Sequence, residues 1–375
     1  MRRNQNSDGM PRVADVVGIP ALPPAALVPV VDRLRAAVAT VHRRLAPPPV
    51  QIVEALFGAL DYAALGALCA LNVPEQLRGA ARIDDLASRV GTDAATLTRL
   101  VRYAVGRGWL RMDRRGRVHP TAMMRFLRRS HPGGWRAWVD FATGPEVGAA
   151  IGQVATGLAA SEGDPFAAAN GAPFFDWYAK HADRHAAFDS AMSAGARLHG
   201  LALSATIDWT GVRKVCDVGG GTGAVLRMLL DRHERLEGIL YDLPEVVDRA
   251  DEAERLTVVG GDAFDDVPPD CDVYLFVNVL HDWDDERCVA LLRNVKKCGA
   301  AGTRAIVVEG ERREHPVDGI ALRTDLLMLA LTPGGHERTT SEFATLASDA
   351  GMALRESIRL ASGDRAHVMR CAPNA

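Results

Sequence analysis

At 375 residues, with 48% hydrophobic and 24% charged side chains, the chain is long enough to bury at least one full core, and two domains are the starting expectation. A net charge of -3 provides no overall attraction to nucleic acid or an anionic membrane, and no run of about 18 uninterrupted apolar residues is available to span a bilayer. The six cysteines, Cys69, Cys216, Cys271, Cys288, Cys298 and Cys371, show neither metal-finger spacing nor a disulfide framework, so a reducing, cytoplasmic compartment is expected.

Residues 1–49 hold eight of the twenty prolines, and Arg2 and Arg3 are followed by Pro11, Pro20, Pro23 and Pro24 before any adequate apolar core. A flexible extension is expected there rather than a secretory signal, with a helix allowed only in "ALVPVVDRLRAAVATVHRRLA". From Gln51, "QIVEALFGALDYAALGALCALNV" is apolar almost all round, the pattern of a helix buried between other helices and suited to a dimer core. Next, "RIDDLASRVGTDAATLTRLVRYAVGRGWLRMDRRGRVHPT" reads as helix, Gly91 turn, helix capped by Thr92 or Asp93, then two short strands. That order is a winged helix-turn-helix. Arg114, Arg115 and Arg117 offer phosphate contacts, but the slightly acidic chain weighs against DNA binding. Helices should continue over 132–200, interrupted by the loop "NGAPFFDWYAKH".

Beyond residue 211, apolar β-rich runs ("RKVCDVG", "EGILYDL", "RLTVVGGD", "CDVYLFVNVL", "TRAIVVEGE" and "AHVMRC") alternate with helical stretches, which predicts a parallel, doubly wound sheet. In the first strand-to-helix turn, Gly219, Gly221 and Gly223 leave room for a ligand beside the backbone. Asp217 at the strand end would repel a pyrophosphate but suits an ammonium group. Asp242, nineteen residues past Gly223, ends the next strand where a carboxylate can accept from both ribose hydroxyls. Asp262 follows the third strand, beside Phe264, placed to accept from an adenine amino group. Each acid taken alone is more often a turn or cap residue; three in register with the glycine loop reverse that balance in favour of ligand binding.

In order and spacing, "DVGGGTG", "YDLPEVV", "GDAF", "LHDWDDE" and "TPGGHERTTSEF" resemble the S-adenosylmethionine-dependent small-molecule O-methyltransferases, namely the plant caffeate-type enzymes and the bacterial relatives that tailor polyketides and antibiotics. The resemblance spans residues 50–372 and implies an α/β, Rossmann-like class I methyltransferase domain over 201–375, preceded over 50–200 by a mainly helical winged-helix dimerisation and lid domain. It implies a homodimer paired through that N-terminal domain, S-adenosylmethionine as cofactor with no metal, and no nucleic-acid or membrane partner. Leu243, Ala263, Asn278 and Ser193 would join the aspartates and glycines around the donor.

His281 follows the fourth predicted strand, where an imidazole of pKa about 6.5 can accept a proton near neutrality. A helix-cap role around Asp282 is the plain alternative. The resemblance makes His281 the base that deprotonates an acceptor hydroxyl, flanked by carboxylates matching Glu309 and Glu337. Glu309 ends an apolar strand, a poor place for an idle charge; Glu337 could simply pair with Arg338. One position departs from the pattern: His336, which with His281 and Asp282 could hold a metal for C-methylation of an α-keto acid. A family member that keeps the donor site without methylating is a further alternative. Trp138, Phe174, Phe175, Trp177, Met192, Asp282, Met328 and Thr332 are the acceptor-pocket candidates, an ordinary core role standing beside each aromatic one.

Overall fold

Prolines set the first two helices. Pro29 lies in the first turn of α1 (Val28–Leu45) and Pro48 opens α2 (Pro48–Ala70), positions where a missing amide hydrogen leaves no helix bond unmade. The computed structural model describes residues 24–159, 163–299, 302–316, 318–332 and 334–371, so the first 23 residues of the expected extension lie outside the described residues. The sequence predicts a buried α2, yet within one chain only its Leu68 and Cys69 are buried. Ile52, Val53, Leu56, Phe57 and Leu60 are exposed, as are Val30, Leu34, Val38 and Val41 of α1. By length and composition α2 is the one described helix able to cross a membrane. Its Asp61, however, accepts hydrogen bonds from Tyr103 (2.8 Å) and Arg107 (2.6 Å), which ties it to the helices that follow.

α3 (Ile83–Val90) stops at Gly91, whose φ of +72° suits a residue without a Cβ, and α4 (Ala94–Gly106) starts where the Asp93 carboxylate accepts the Thr96 amide at 2.8 Å. Strands β1 (Leu110–Met112) and β2 (Val118–Pro120) pair antiparallel behind them. Asp113 closes their turn by accepting from the amides of Arg115 and Arg117 and from Arg117 Nε, so one of the three candidate phosphate-binding arginines is engaged within the turn. Helices α5 (Trp135–Ala142) and α6 (Pro145–Gly152) follow. The stretch expected as a loop contains a helix, α7 (Phe174–Ala179): Gly171 in the left-handed region ends the preceding turn and Pro173 starts the next, which the loop reading took for continuous irregularity. α8 (Ala182–Thr206) then carries the chain through 25 residues to the sheet.

That sheet has seven strands in the order β5-β4-β3-β6-β7-β9-β8. β3 (Lys214–Val218), β4 (Glu237–Asp242), β5 (Leu256–Gly260), β6 (Val273–Val277) and β7 (Arg304–Glu309) are parallel, as the alternation of elements predicts. The last two, β8 (Met352–Arg359) and β9 (Arg365–Cys371), run antiparallel and correct the all-parallel expectation. The turn between them is too short for a crossover helix. β8 escaped notice because it is an edge strand bearing Arg355, Glu356 and Arg359 with a register shift at Leu354/Glu356, which blurs its alternation. Helices cover both faces: α9 (Ala224–Leu230) with Leu240 and Leu275 on one, α10 (Asp285–Cys298) and α12 (Thr340–Asp349) around Phe276 on the other. α11 (Ile320–Leu331) leaves the sheet to pack against α6. Strand order reverses between β3 and β6, and the crevice beyond their carboxyl ends is where such a sheet binds ligands.

Phe276 is fully buried in the middle of β6. Replacing it with alanine should cost about 3–5 kcal/mol through lost burial and the cavity left behind; the shift of a urea unfolding midpoint at unchanged slope measures it.

Candidate active site

Gly219 (φ +69°), Gly221 (+60°) and Gly223 (+83°) turn the chain from β3 into α9 within five residues, all in the left-handed region that a side chain resists. A Cβ on Gly220 would fall 2.8 Å from the Asp217 carboxylate, so this acid lies directly under the loop. Asp217 is buried, its Oδ2 has no hydrogen-bond partner, and burial together with nearby Asp242 pushes its carboxyl up to about 7. A buried, unpartnered carboxylate is a receptor for a cation. Asp242 accepts the Gly221 amide on Oδ2 (2.8 Å) and the Leu243 amide on Oδ1 (2.7 Å), which leaves a lone pair on each oxygen for a diol. Burial pushes it up to about 6 despite those bonds. Asp262 Oδ1 accepts the Phe264 amide at 2.9 Å, so it shapes its own turn as well as facing the cavity with Ala263 and Phe264. Ser193 on α8 bonds Thr222 at 2.9 Å and fastens that helix to the glycine loop.

After β6 the chain passes Asn278 (φ +54°) and makes one 3-10 turn, Leu280–Asp282, that presents His281 to the same cavity. Its Nδ1 is 3.1 Å from Glu337 Oε1 and its Nε2 is 3.8 Å from Asp282 Oδ1. Glu309 is placed differently from the expectation of two acids flanking the ring: its Oε1 accepts the backbone amide of His281 at 3.0 Å, and so anchors the main chain. The β7 strand brings Glu309 underneath the 3-10 turn, where the amide is the nearer donor. Burial alone would lower the imidazole pKa, but Asp282, Glu337 and Glu309 outweigh it and push it up to about 10. Burial pushes Glu309 up to about 7 and Asp282 to about 6.

Arg338 is fully buried and does not pair with Glu337. It donates to the carbonyls of Leu280 (3.0 Å) and Trp283 (2.7 Å) and to Asp285 (2.8 Å), clamping both ends of the turn that carries His281. Asp284, one of the trailing acids, caps α10 by accepting the Arg287 amide. His336 turns away: Nδ1 lies 2.9 Å from the Gly334 carbonyl, Nε2 lies 3.6 Å from Asp285, and the ring does not line the cavity. Among the described residues no three His, Cys, Asp or Glu side chains are placed to hold a metal ion, so His281, Asp282 and His336 do not form the metal-binding set considered above.

The cavity measures about 1640 Å³. A single small-molecule site is typically about 300–1,000 Å³, so there is room for two ligands side by side. Trp138, Phe174, Phe175, Met192, Met328 and Thr332 line its apolar half. Trp177 does not; it stacks on His181 with ring centres 3.8 Å apart. Phe174 also belongs to the core, packed against Phe166 and Tyr178. Phe175 stacks on Trp283 (5.4 Å, 19°), while Phe264 meets the edge of Trp283 and the Arg287 guanidinium lies over both rings. Tyr62 of α2, Met123, Phe126 and Trp135 complete the wall and were not anticipated. Tyr62 alone carried a signal, as the one aromatic hydroxyl in an apolar helix; it donates to the Ala142 carbonyl.

Known proteins share this arrangement. The O-methyltransferase domain family matches residues 152–353 and the O-methyltransferase dimerisation domain family residues 53–130. The chain is 33% identical over 280 residues to the 2,7-dihydroxy-5-methyl-1-naphthoate 7-O-methyltransferase of Streptomyces carzinostaticus, covering 72% of this chain and 82% of that protein. It is 30% identical over 300 residues to the phenazine O-methyltransferase PhzM of Lysobacter antibioticus, covering 75% and 84%. Among solved structures, the O-methyltransferase NcsB1 from neocarzinostatin biosynthesis, in complex with S-adenosylmethionine and 2-hydroxy-5-methyl naphthoic acid, superposes with a TM-score of 0.71 at 29% identity, covering 83% of this chain and 96% of that one.

Because Arg338 is fully buried and satisfies the carbonyls of Leu280 and Trp283, Arg338→Met should destabilise the fold by about 1–3 kcal/mol, the range for leaving buried acceptors unsatisfied. A lowered melting temperature by calorimetry would bear this out; an unchanged one would show that the clamp is dispensable.

Proposed function

Because the chain belongs to the O-methyltransferase family and is an S-adenosylmethionine-dependent O-methyltransferase, we propose that it methylates a hydroxyl on a small aromatic natural product, with His281 as the general base. One observation carries the reading: Glu337 engages Nδ1 of His281, which leaves Nε2 on the wall of the cavity that also contains the glycine loop.

The residues present fit the donor. Asp217, buried and with its Oδ2 free of a partner, suits its ammonium group; Asp242 suits the ribose hydroxyls, and Asp262 with Phe264 the adenine. When bound, the donor supplies an electrophilic methyl group on a sulfonium. The protein then has to align the acceptor and remove a proton. With the Nδ1 proton donated to Glu337, the neutral imidazole has its lone pair on Nε2, where it accepts the hydroxyl proton. The cation formed lies between Glu337 and Asp282, and Glu309 keeps the backbone of His281 in place. The raised imidazole pKa makes His281 a stronger base toward a phenol than a free histidine would be. The aromatic wall of Trp138, Phe174 and Phe175, with Met192 and Met328, suits a flat ring and excludes water. The relatives named above act on naphthoate and phenazine, both aromatic.

We assign residues 50–200 to dimerisation and the lid and 201–375 to donor binding and catalysis, with 1–49 an extension. The exposed faces of α1 and α2 then meet in a homodimer rather than a membrane. All six cysteines are free, which fits a reducing cytoplasm.

His281→Ala should lower kcat about 10²–10⁴-fold while S-adenosylhomocysteine still binds by calorimetry. Since the carboxylates raise the imidazole pKa, kcat/KM of the parent enzyme should climb with pH well above 6.5, and Glu337→Gln, which removes one raising charge, should move that limb to lower pH; a limb that stays put excludes Glu337 as the partner. For the assembly, the parent chain should sediment as a dimer, and Leu56→Asp with Phe57→Asp should yield monomers.

A further inference from the structure

His199, Asn278 and Asp364 form a polar chain along the cavity wall, brought together from α8, the end of β6 and the turn between β8 and β9. His199 Nε2 is 3.3 Å from Asn278 Nδ2, and His199 Nδ1 is 3.2 Å from Asp364 Oδ2. An amide nitrogen donates and cannot accept, so the ring nitrogen facing it must be the acceptor. With Nε2 as the acceptor, the ring carries its proton on Nδ1, 3.2 Å from Asp364 Oδ2. His199 is only 8% exposed, and the Asp364 side chain beside it is likewise largely covered. A buried histidine-aspartate pair is costly to maintain, and base catalysis by His281 makes no use of it.

Asn278 is where this chain meets the ligand crevice. It is a non-glycine residue held at φ +54°, with its backbone amide bonded to Val308 at 3.0 Å. Side chains resist that conformation, which persists where the surroundings impose it. The next residue, Val279, presses on the glycine loop: a Cβ on Gly219 would lie 2.9 Å from Val279 Cγ2. Asn278 thus precedes the residue that packs on the loop, and Asn278 and Asp217 both line the cavity. With Nδ2 turned to His199, Oδ1 occupies the opposite edge of the planar amide.

We propose that His199 and Asp364 are positioning residues for the donor, holding the Asn278 amide so that its carbonyl oxygen faces the ammonium group at the aminoacyl end of S-adenosylmethionine, together with Asp217. This rests on the reading of the crevice as the donor site. Asp364 sets the imidazole tautomer, the tautomer sets the amide, and the amide presents an acceptor to a cation. If the imidazole is removed the amide is free to rotate, and its NH₂ edge can face the same positive charge.

Calorimetric titration of the full chain with S-adenosylhomocysteine and with 5′-methylthioadenosine, which lacks the aminoacyl group, tests the proposal. His199→Ala should weaken S-adenosylhomocysteine roughly tenfold, as for a hydrogen bond to a charged group, and leave 5′-methylthioadenosine unchanged. The double variant His199→Ala/Asn278→Ala should bind no more weakly than Asn278→Ala alone, since one residue acts through the other. Asp364→Asn, which preserves shape, should show the same selectivity in smaller measure and serves if His199→Ala does not fold. Equal weakening of both ligands, or unchanged S-adenosylhomocysteine affinity in a folded variant, would overturn the proposal. Failure of the parent chain to bind S-adenosylhomocysteine would remove the donor-site reading itself.

Discussion

Two glutamates buried side by side with a histidine set the terms for the rest of the site. Glu309 and Glu337 are 0% and 2% exposed, and each retains an oxygen with no hydrogen-bond partner. Uncompensated carboxylates in a core are costly, so positive charge and donors have to be supplied from nearby. His281 supplies a backbone amide to one and an imidazole nitrogen to the other. Arg338, fully buried, grips the carbonyls on either side of the same turn. The position of the proposed base is therefore a result of charge compensation at the end of β7, and a weakened cluster would release the turn as a whole.

The rest of the cavity divides by chemistry. Strand ends contribute the acids, Asp217, Asp242 and Asp262, which have the chemistry of a ligand with an ammonium, a diol and an exocyclic amine. Helices before the sheet, together with α11 between β7 and β8, contribute the aromatic and thioether surface that suits a flat acceptor. Phe175 and Trp283 stack across the boundary between these halves, so the wall contributed by α7 is tied to the turn that carries His281. A reaction that needs alignment more than chemical activation suits such a site, because rigid packing on both sides fixes the approach.

Outside the cavity, the most demanding surface is the apolar one on α1 and α2. Burial of those side chains releases water at about 25 cal/mol per Å², a gain one chain does not collect. A second copy would supply the missing layer, and the match of residues 53–130 to a dimerisation domain agrees with that. Tyr62, on α2, also reaches the ligand cavity. In the proposed dimer, subunit pairing and the ligand cavity share a helix.

The parts legible in the sequence are those whose chemistry is local. Three glycines at alternate positions, acids closing successive β-rich runs, and a histidine ahead of an acidic helix start can be read along the chain because the turn or strand end that needs them is itself short-range. The misses are those that depend on what lies across the fold. β8 was hidden by its charged edge, and α7 by a proline and a glycine that open and close helices as readily as loops. Trp177 was grouped with Phe174 and Phe175, although successive helix positions point in different directions. Glu309 was expected on the imidazole and bonds the amide instead, a choice decided by the height at which β7 ends beneath the turn. By itself the sequence determined the order of the parallel strands, the glycine loop with its acids and the candidate base, since each is fixed by backbone geometry within a few residues. Only the tertiary structure decided which atoms meet around His281, which aromatics face the cavity and that His199 joins Asp364 to Asn278, because these contacts span 28 to 165 positions and depend on how helices pack on a twisted sheet.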